Sequence, residues 1–329
     1  MLRISRPLVS VVCLSHNRQK NVLELLATLQ EQDYDPLEII LVDNHSQDGT
    51  PDAVENNFPE VKRILCPQNF GMVSYNFGFA NARGEYILVI DDDGVPAATS
   101  CIAEVVNRLE ANPHLAGVAC TIRMRDTGLV AYDSPQFIPQ GNNEIGFPAA
   151  AFNGTGAGLR AEALRQVGYY PFYYYRSWLE FHLSTRFHNA GWDVRYFPTI
   201  EVWHTRSSGS ADRPFSYYGL RNYLWYVWEF YPWPEVLLET LHYLGSRGKS
   251  TLAGRLSMAL FMKAFIDGLG GWRNIHSHRK PISRDVLVHL RQVRRYGNDY
   301  GLVQKHRSFP FPTSNASLDE TFRLQQTGD

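Results

Sequence analysis

Apolar positions change their spacing at short intervals through the first ninety residues. "LVSVVCL" (8–14) is apolar almost without a break, as a strand covered on both faces is. "SHNRQKNVLELLATLQEQ" then brings Val22, Leu25, Leu26 and Leu29 at helical spacing, with Asn17 placed to cap. "LEIILVD" reads as a second strand. "HSQDGTPDAVENNF" opens a helix with Thr50 as cap and Pro51 at its first position. A third strand "VKRILC", a helix through Val73, Phe77 and Ala80, and the strand "GEYILVID" come next. This alternation predicts an α/β fold with a mostly parallel open sheet flanked by helices.

The pattern continues with a helix over 100–112 and a strand "AGVACTIR". Residues 124–150 are polar and punctuated by Gly and Pro, a hairpin or long loop. "FNGTGAGLRAEALRQVG" reads as a glycine-rich turn feeding a short helix. "WLEFHLSTRFHNAG" carries the i, i+4 stripe Leu179, Leu183, Phe187, and "WDVRYFPTIEVWHT" supplies short strands ending at His204. From about residue 215 the chain turns helical, first dense in aromatics and then basic. The division read from this is 1–214 for the α/β unit, 215–300 for a helical C-terminal region and 301–329 for an extended tail.

Composition narrows the class. With 44% apolar and 20% charged residues the chain reads as a soluble globular protein, and its net charge of -1 gives no global attraction to nucleic acid. The start lacks the features of a secretory signal. No run reaches the ~18 apolar residues of a spanning helix, since "LSMALFMKAFIDGL" is broken by Lys263 and Asp267. Cys13, Cys66, Cys101 and Cys120 form no CxxC and suit buried free thiols in a reducing, cytoplasmic setting.

The polar clusters "SHN", "VDNHS" and "IDDD" all fall at carboxyl ends of strands, where open α/β sheets bind ligands. Asp91 and Asp93, at i and i+2, point the same way from a strand and suit a divalent cation; a solvated turn is the plainer reading. His204 at another strand end could complete such a site or be a core-edge histidine. Glu180 flanks a buried helical stripe and faces a cleft or solvent. "GTGAG" (154–158) is misplaced for a dinucleotide fingerprint, and GxxxxGK[ST], GxSxG and HExxH are absent.

The ordered set "VVCLSHNR", "EIILVDNHSQDGT", "NFG…NARGEYILVIDDD", "FNGTGAGLRAEAL" and "WLEFHLSTRFHNAGWDVRYFP…H" resembles the family 2 inverting glycosyltransferases of GT-A fold, in particular the non-processive, rhamnosyltransferase-like members. The resemblance covers about residues 8–206. It implies that Ser15 and Asn17 line the nucleobase pocket and that Asp43 bonds the uracil or thymine imide. Asn69 and Gly71 fall in the loop closing over nucleoside and diphosphate. Asp91 and Asp92 lie at the nucleotide sugar, and Asp93 of the DxD motif, with His204, at Mn²⁺ or Mg²⁺. Asn153, Gly154, Thr155, Gly156 and Trp178 go to the acceptor or donor-sugar pocket, and Glu180 to the catalytic base. The family has a Glu-Asp pair where this chain has Leu179–Glu180, and His182 replaces a common aspartate. "QVRRY" (292–296) lies too far from Glu180 to be the QxxRW of processive relatives.

The resemblance further implies transfer of one sugar, rhamnose among the candidates, from a UDP- or dTDP-sugar to a glycan, lipid-linked or small-molecule acceptor, in the cytoplasm or at the inner face of the membrane. A sugar-1-phosphate nucleotidyltransferase would show a stronger glycine-rich basic loop than "CLSHNRQK"; a non-catalytic nucleotide-sugar-binding module stays open because the base position departs from the family. The rings between Tyr217 and Trp233 suit packing against the α/β unit, a homodimer interface, acceptor stacking or a peripheral membrane contact.

Overall fold

The computed structural model describes residues 6–131, 144–205 and 216–296. Its first half is parallel: strands β1 (Val9–Ser15), β2 (Leu37–Asp43), β3 (Lys62–Leu65) and β4 (Tyr86–Asp91) lie in the order β3-β2-β1-β4. They are joined through helices α1 (Gln19–Gln30), α2 (Thr50–Asn57) and α3 (Tyr75–Asn81). Register decides what this places together. Ser15 pairs with Asp43 and Leu14 with Asp91, so the polar ends of three strands meet along one edge.

The second half is mixed. It comprises β5 (Gly94–Pro96), α4 (Cys101–Ala111), β6 (Leu115–Met124), β7 (Phe147–Pro148), β8 (Ala157–Arg160), α5 (Ala161–Val167), α6 (Leu179–Asn189) and β9 (Asp193–His204). β8 runs antiparallel between β4 and β6, and β9 runs parallel to β6 but antiparallel to β5 and β7. The unbroken parallel order therefore ends at β4, and parallel pairing returns only between β6 and β9. The end of "GTGAG", expected in a turn, opens the central strand β8. Its glycines hid it: a Cβ at Gly158 would overlap Val105 of α4, so small residues there let the helix sit close. β9 is one 12-residue strand with a register shift between Cys120 and Thr121 of β6, where several short strands were expected.

Alternate residues of the central strands feed two cores. Val11, Cys13, Leu88 and Ile90 pack under α1 and α4. Val12, Val42, Ile87 and Val89 face α3, α5 and α6. The second core continues into α7 (Tyr217–Phe230), α8 (Glu235–Leu252), α9 (Met258–Gly270), α10 (Trp272–His278) and α11 (Arg284–Tyr296). Trp225, Tyr226, Trp228 and Tyr231 are all buried, so the aromatic-rich stretch is a packing surface; Trp233 is exposed. The helix-like stretch from 217 is two helices: α7 stops at Phe230, ahead of Pro232 and Pro234, and α8 begins at Glu235. The tail 301–329 lies outside the described residues.

Two local readings are corrected. Asn17 has φ 53° and caps no helix: its backbone N–H and side-chain oxygen bond Ser46 and Gln47 instead. At α2, Gly49 with φ 81° takes the cap position expected for Thr50, which itself begins the helix. All four cysteines are buried free thiols, and burial pushes each thiol up.

Gly78 of α3 sits on Val12 and Val42 with no room for a methyl. Gly78→Ala should cost about 1–3 kcal/mol in urea unfolding, the usual penalty of overpacking. His188 of α6 is buried beside His289 of α11, and burial drives its pKa down to about 4. Its neutral form thus stabilises the fold above about pH 6.5, and that contribution is lost as pH falls toward 4. Between pH 7 and pH 5 the stability advantage of the native chain over His188→Gln should shrink by roughly 2 kcal/mol.

Candidate functional site

β4 delivers three carboxylates to the sheet edge, and each is answered differently. Asp91 accepts hydrogen bonds from Tyr75 Oη at 2.7 Å and Thr155 Oγ1 at 3.2 Å. Asp93, past the strand end, lies between Arg18 and His204, whose Nε2 is 3.1 Å from Oδ1. Arg18 Nη1 also reaches Asp92 at 3.2 Å. Burial raises Asp91, with the Asp93 charge adding to it, and raises Asp92 to about 7 against the pull of Arg18. Burial alone would raise Asp93 too, but the His204 hydrogen bond and Arg18 outweigh it and hold Asp93 at about 2. Of the three, Asp93 is the one whose ionised form its neighbours favour.

At the β2 end, Asp43 is 2% exposed. Oδ1 takes the Ser46 N–H at 2.9 Å, while the buried Oδ2 has no hydrogen-bond partner among the described residues. Ser15 is buried beside it. Asn44, not singled out from the sequence, ties the neighbouring loop: Nδ2 donates to Asn69 Oδ1 and Gly71 O, and Oδ1 accepts from Phe70 N and Ser74 Oγ. Gly71 (φ 72°) has the Tyr175 carbonyl where a Cβ would stand, at 2.5 Å.

The turn 153–156 links the acids to Glu180. Asn153 Oδ1 accepts from Thr155 N, and Thr155 reaches Asp91. A Cβ at Gly154 would stand 2.8 Å from Glu180 Oε1, and one at Gly156 would strike Val202 of β9. Tyr170 lies in the same neighbourhood: burial raises its phenol, and the charges of Glu180 and Asp91 both add. Half-buried Glu180 and the acidic strand end thus border one turn and one ring.

Glu180 stands in the first turn of α6, and the approach to it is strained. Tyr175, Ser177 and Trp178 all have positive φ, a conformation costly for non-glycine residues. Helix α7 holds them. Asn222, fully buried, donates to the carbonyls of Tyr174, Arg176 and Ser177, and Trp178 Nε1 donates to Gly219 O. Trp178 packs its ring on Phe181, Tyr223 and Tyr226. Two residues past Glu180, His182 Nε2 meets Glu229 of α7 at 2.9 Å in a buried pair, completed by Tyr173 Oη. His182, noted as a departure from the family, therefore has a partner over forty residues downstream.

Among the described residues no group of three or more His, Cys, Asp or Glu is arranged to hold a metal. Asp93 and His204 side by side do suit a divalent ion that takes its remaining ligands from phosphate oxygens and water. The donor set fits an ion arriving with a diphosphate.

Residues 10–168 match Glycosyl transferase family 2. The chain is 28% identical over 214 residues to the probable glycosyltransferase YdaM of Bacillus subtilis, covering 60% of this chain and 50% of that one. It is 22% identical over 253 residues to the N-acetylglucosaminyl-diphospho-decaprenol L-rhamnosyltransferase of Mycobacterium tuberculosis, covering 66% and 82%. The chain thus spans only half the length of YdaM. A solved mannosyltransferase from Pyrobaculum calidifontis, in complex with GDP-Man and Mn²⁺, shares the fold at TM-score 0.56 and 19% identity, over 90% of this chain and 89% of that one. The fold is of GT-A type, an open curled mixed sheet flanked by helices. Over residues 10–168 the chain is similar to the family 2 glycosyltransferases.

Asn222→Ala removes the donor shared by three carbonyls and should cost about 1–3 kcal/mol in chemical unfolding, the penalty of stranding buried polar groups. An unchanged midpoint would show that Asn222 does not hold the turn.

Proposed function

We propose that this chain moves one sugar from a UDP- or dTDP-sugar to an acceptor hydroxyl with inversion, using Glu180 as general base. The observation carrying this is the 153–156 turn, which bonds Asp91 through Thr155 and, at Gly154, lies so near Glu180 that a Cβ there would press on its Oε1. A donor sugar seated on that turn has its diphosphate toward the strand end and the carboxylate of Glu180 on its other side.

Each part rests on local chemistry. The buried, unpartnered Oδ2 of Asp43 is an acceptor for a pyrimidine imide N–H. Asn69 and Gly71, fixed by Asn44, form the loop over the nucleoside. Asp93 and His204 would hold Mn²⁺ or Mg²⁺, which when bound offsets the charge of the leaving diphosphate. Glu180 accepts the acceptor O–H proton as that oxygen bonds to the anomeric carbon and the bond to the diphosphate breaks. Its glutamate length, one methylene more than aspartate, is accommodated because residue 154 is glycine. Asn153, Thr155, Gly156 and Trp178 remain assigned to the sugar and acceptor side. Rhamnose as the sugar and a lipid-linked glycan as acceptor are supported by likeness to the mycobacterial rhamnosyltransferase.

Incubation with UDP- and dTDP-sugars and Mn²⁺ should release nucleoside diphosphate. Glu180→Gln should lower kcat by ~10²–10⁴, the worth of a positioned base, while nucleoside diphosphate affinity holds; a normal kcat contradicts the role. For Asp93→Ala, calorimetry should find that Mn²⁺ no longer strengthens nucleoside diphosphate binding. Retained Mn²⁺ dependence removes Asp93 from the ion.

A further inference from the structure

Ten of the fifteen large hydrophobic side chains exposed among the described residues fall between Trp233 and Trp272. The face is most regular on α9. Phe261, Ala264 and Gly268 turn inward, where Gly268 packs on Leu224 and its carbonyl accepts from Trp225 Nε1. Met258, Met262, Ile266 and Leu269, spaced i, i+4, i+8 and i+11, are 42–58% exposed. They form a second apolar stripe, roughly 16 Å long at 1.5 Å per residue. Packing on α7 does not require it. On α8, Leu237, Leu238 and Leu241 are likewise exposed.

Charge indicates what this stripe meets. Residues 216–296 carry twelve Lys and Arg against five Asp and Glu, net +7, whereas the whole chain carries -1. Exposed Arg255 precedes the stripe and exposed Arg273 comes after it, with Lys249 and Lys280 further out. None of these four makes an ion pair with another described residue. Four of the five acids of the region are engaged elsewhere: Asp267 with Lys263 and Tyr217, Glu229 with His182, Glu235 with Arg284, and Glu239 with Arg291 and Tyr223; the fifth, Asp285, lies on α11, away from the α8 and α9 sequence. A second copy brought to the same face would bring a second cationic surface with it, which like-charge repulsion opposes.

We infer that the α8–α9 face docks in the headgroup layer of an anionic lipid surface, with the α9 stripe inserted and the flanking cations on lipid phosphates. An exposed apolar stripe with basic residues before and after it in the chain is the form of interfacial helices, which lie in the membrane plane without crossing it. No helix among the described residues is long and apolar enough to cross. The inference deepens the proposed function by bringing the chain to the surface where a lipid-linked acceptor resides. Its test reads lipid binding and not turnover, so either reading can fail alone.

The full chain is sedimented with vesicles of phosphatidylglycerol and phosphatidylethanolamine, and with vesicles of phosphatidylcholine alone. Binding to the anionic vesicles is expected, at least about tenfold above the zwitterionic ones, falling as salt screens the cations. Ile266→Glu and Met262→Glu, both on exposed positions, should each lower that binding about tenfold while the circular dichroism and melting temperature stay unchanged. Arg255→Glu with Arg273→Glu should remove the preference for anionic lipid. The inference is overturned by absent vesicle binding, or by Ile266→Glu binding as the native chain does. It is equally overturned if light scattering gives a dimer that Ile266→Glu converts to monomer, since a second copy would then cover the face.

Discussion

Three adjacent carboxylates at the end of β4 are the constraint around which this molecule is arranged. Left alone, buried like charges protonate or open the structure. Here Arg18 from the end of β1 and His204 from the end of β9 converge on Asp93, while Tyr75 and Thr155 satisfy Asp91. The compensation is uneven: Asp93 stays ionised and its neighbours are raised. Asp93 keeps a histidine at its side and a half-exposed guanidinium opposite. Parallel pairing of β1 with β2 and β4 then places buried Asp43 at the same sheet edge.

The second constraint is the helix that carries Glu180. Positive-φ residues at 175, 177 and 178 and a buried His182–Glu229 pair are held from α7, a helix outside the matched family segment. The C-terminal helices therefore do more than cover an apolar face. They fix the segment from which the proposed base projects, and Asn222 is the central contact because one amide serves three carbonyls.

How much of this was legible in the chain depends on the range of the interaction. Period alone marked β1 to β4 and their helices, since each is local and strongly patterned, and the polar strand ends pointed to the right edge. β8 was hidden because glycine carries no pattern, and its role depends on α4 lying across it. Arg18 was visible in "SHNR" but not its target 75 residues away, which only strand order brings near. Likewise His182 looked like a lost aspartate until Glu229 was placed beside it. The aromatic run suited inward packing as well as an exposed contact, and its rings do pack inward; the exposed apolar face lies further along on α8 and α9 and is largely aliphatic.

The central claim is one cleft with diphosphate and Glu180 on opposite sides of the anomeric carbon. The anomeric configuration of the first product, read by proton NMR before mutarotation or further transfer, tests it most directly. An equatorial linkage from an axial donor, or the reverse, is the expected result. Retention of the donor's configuration would contradict it.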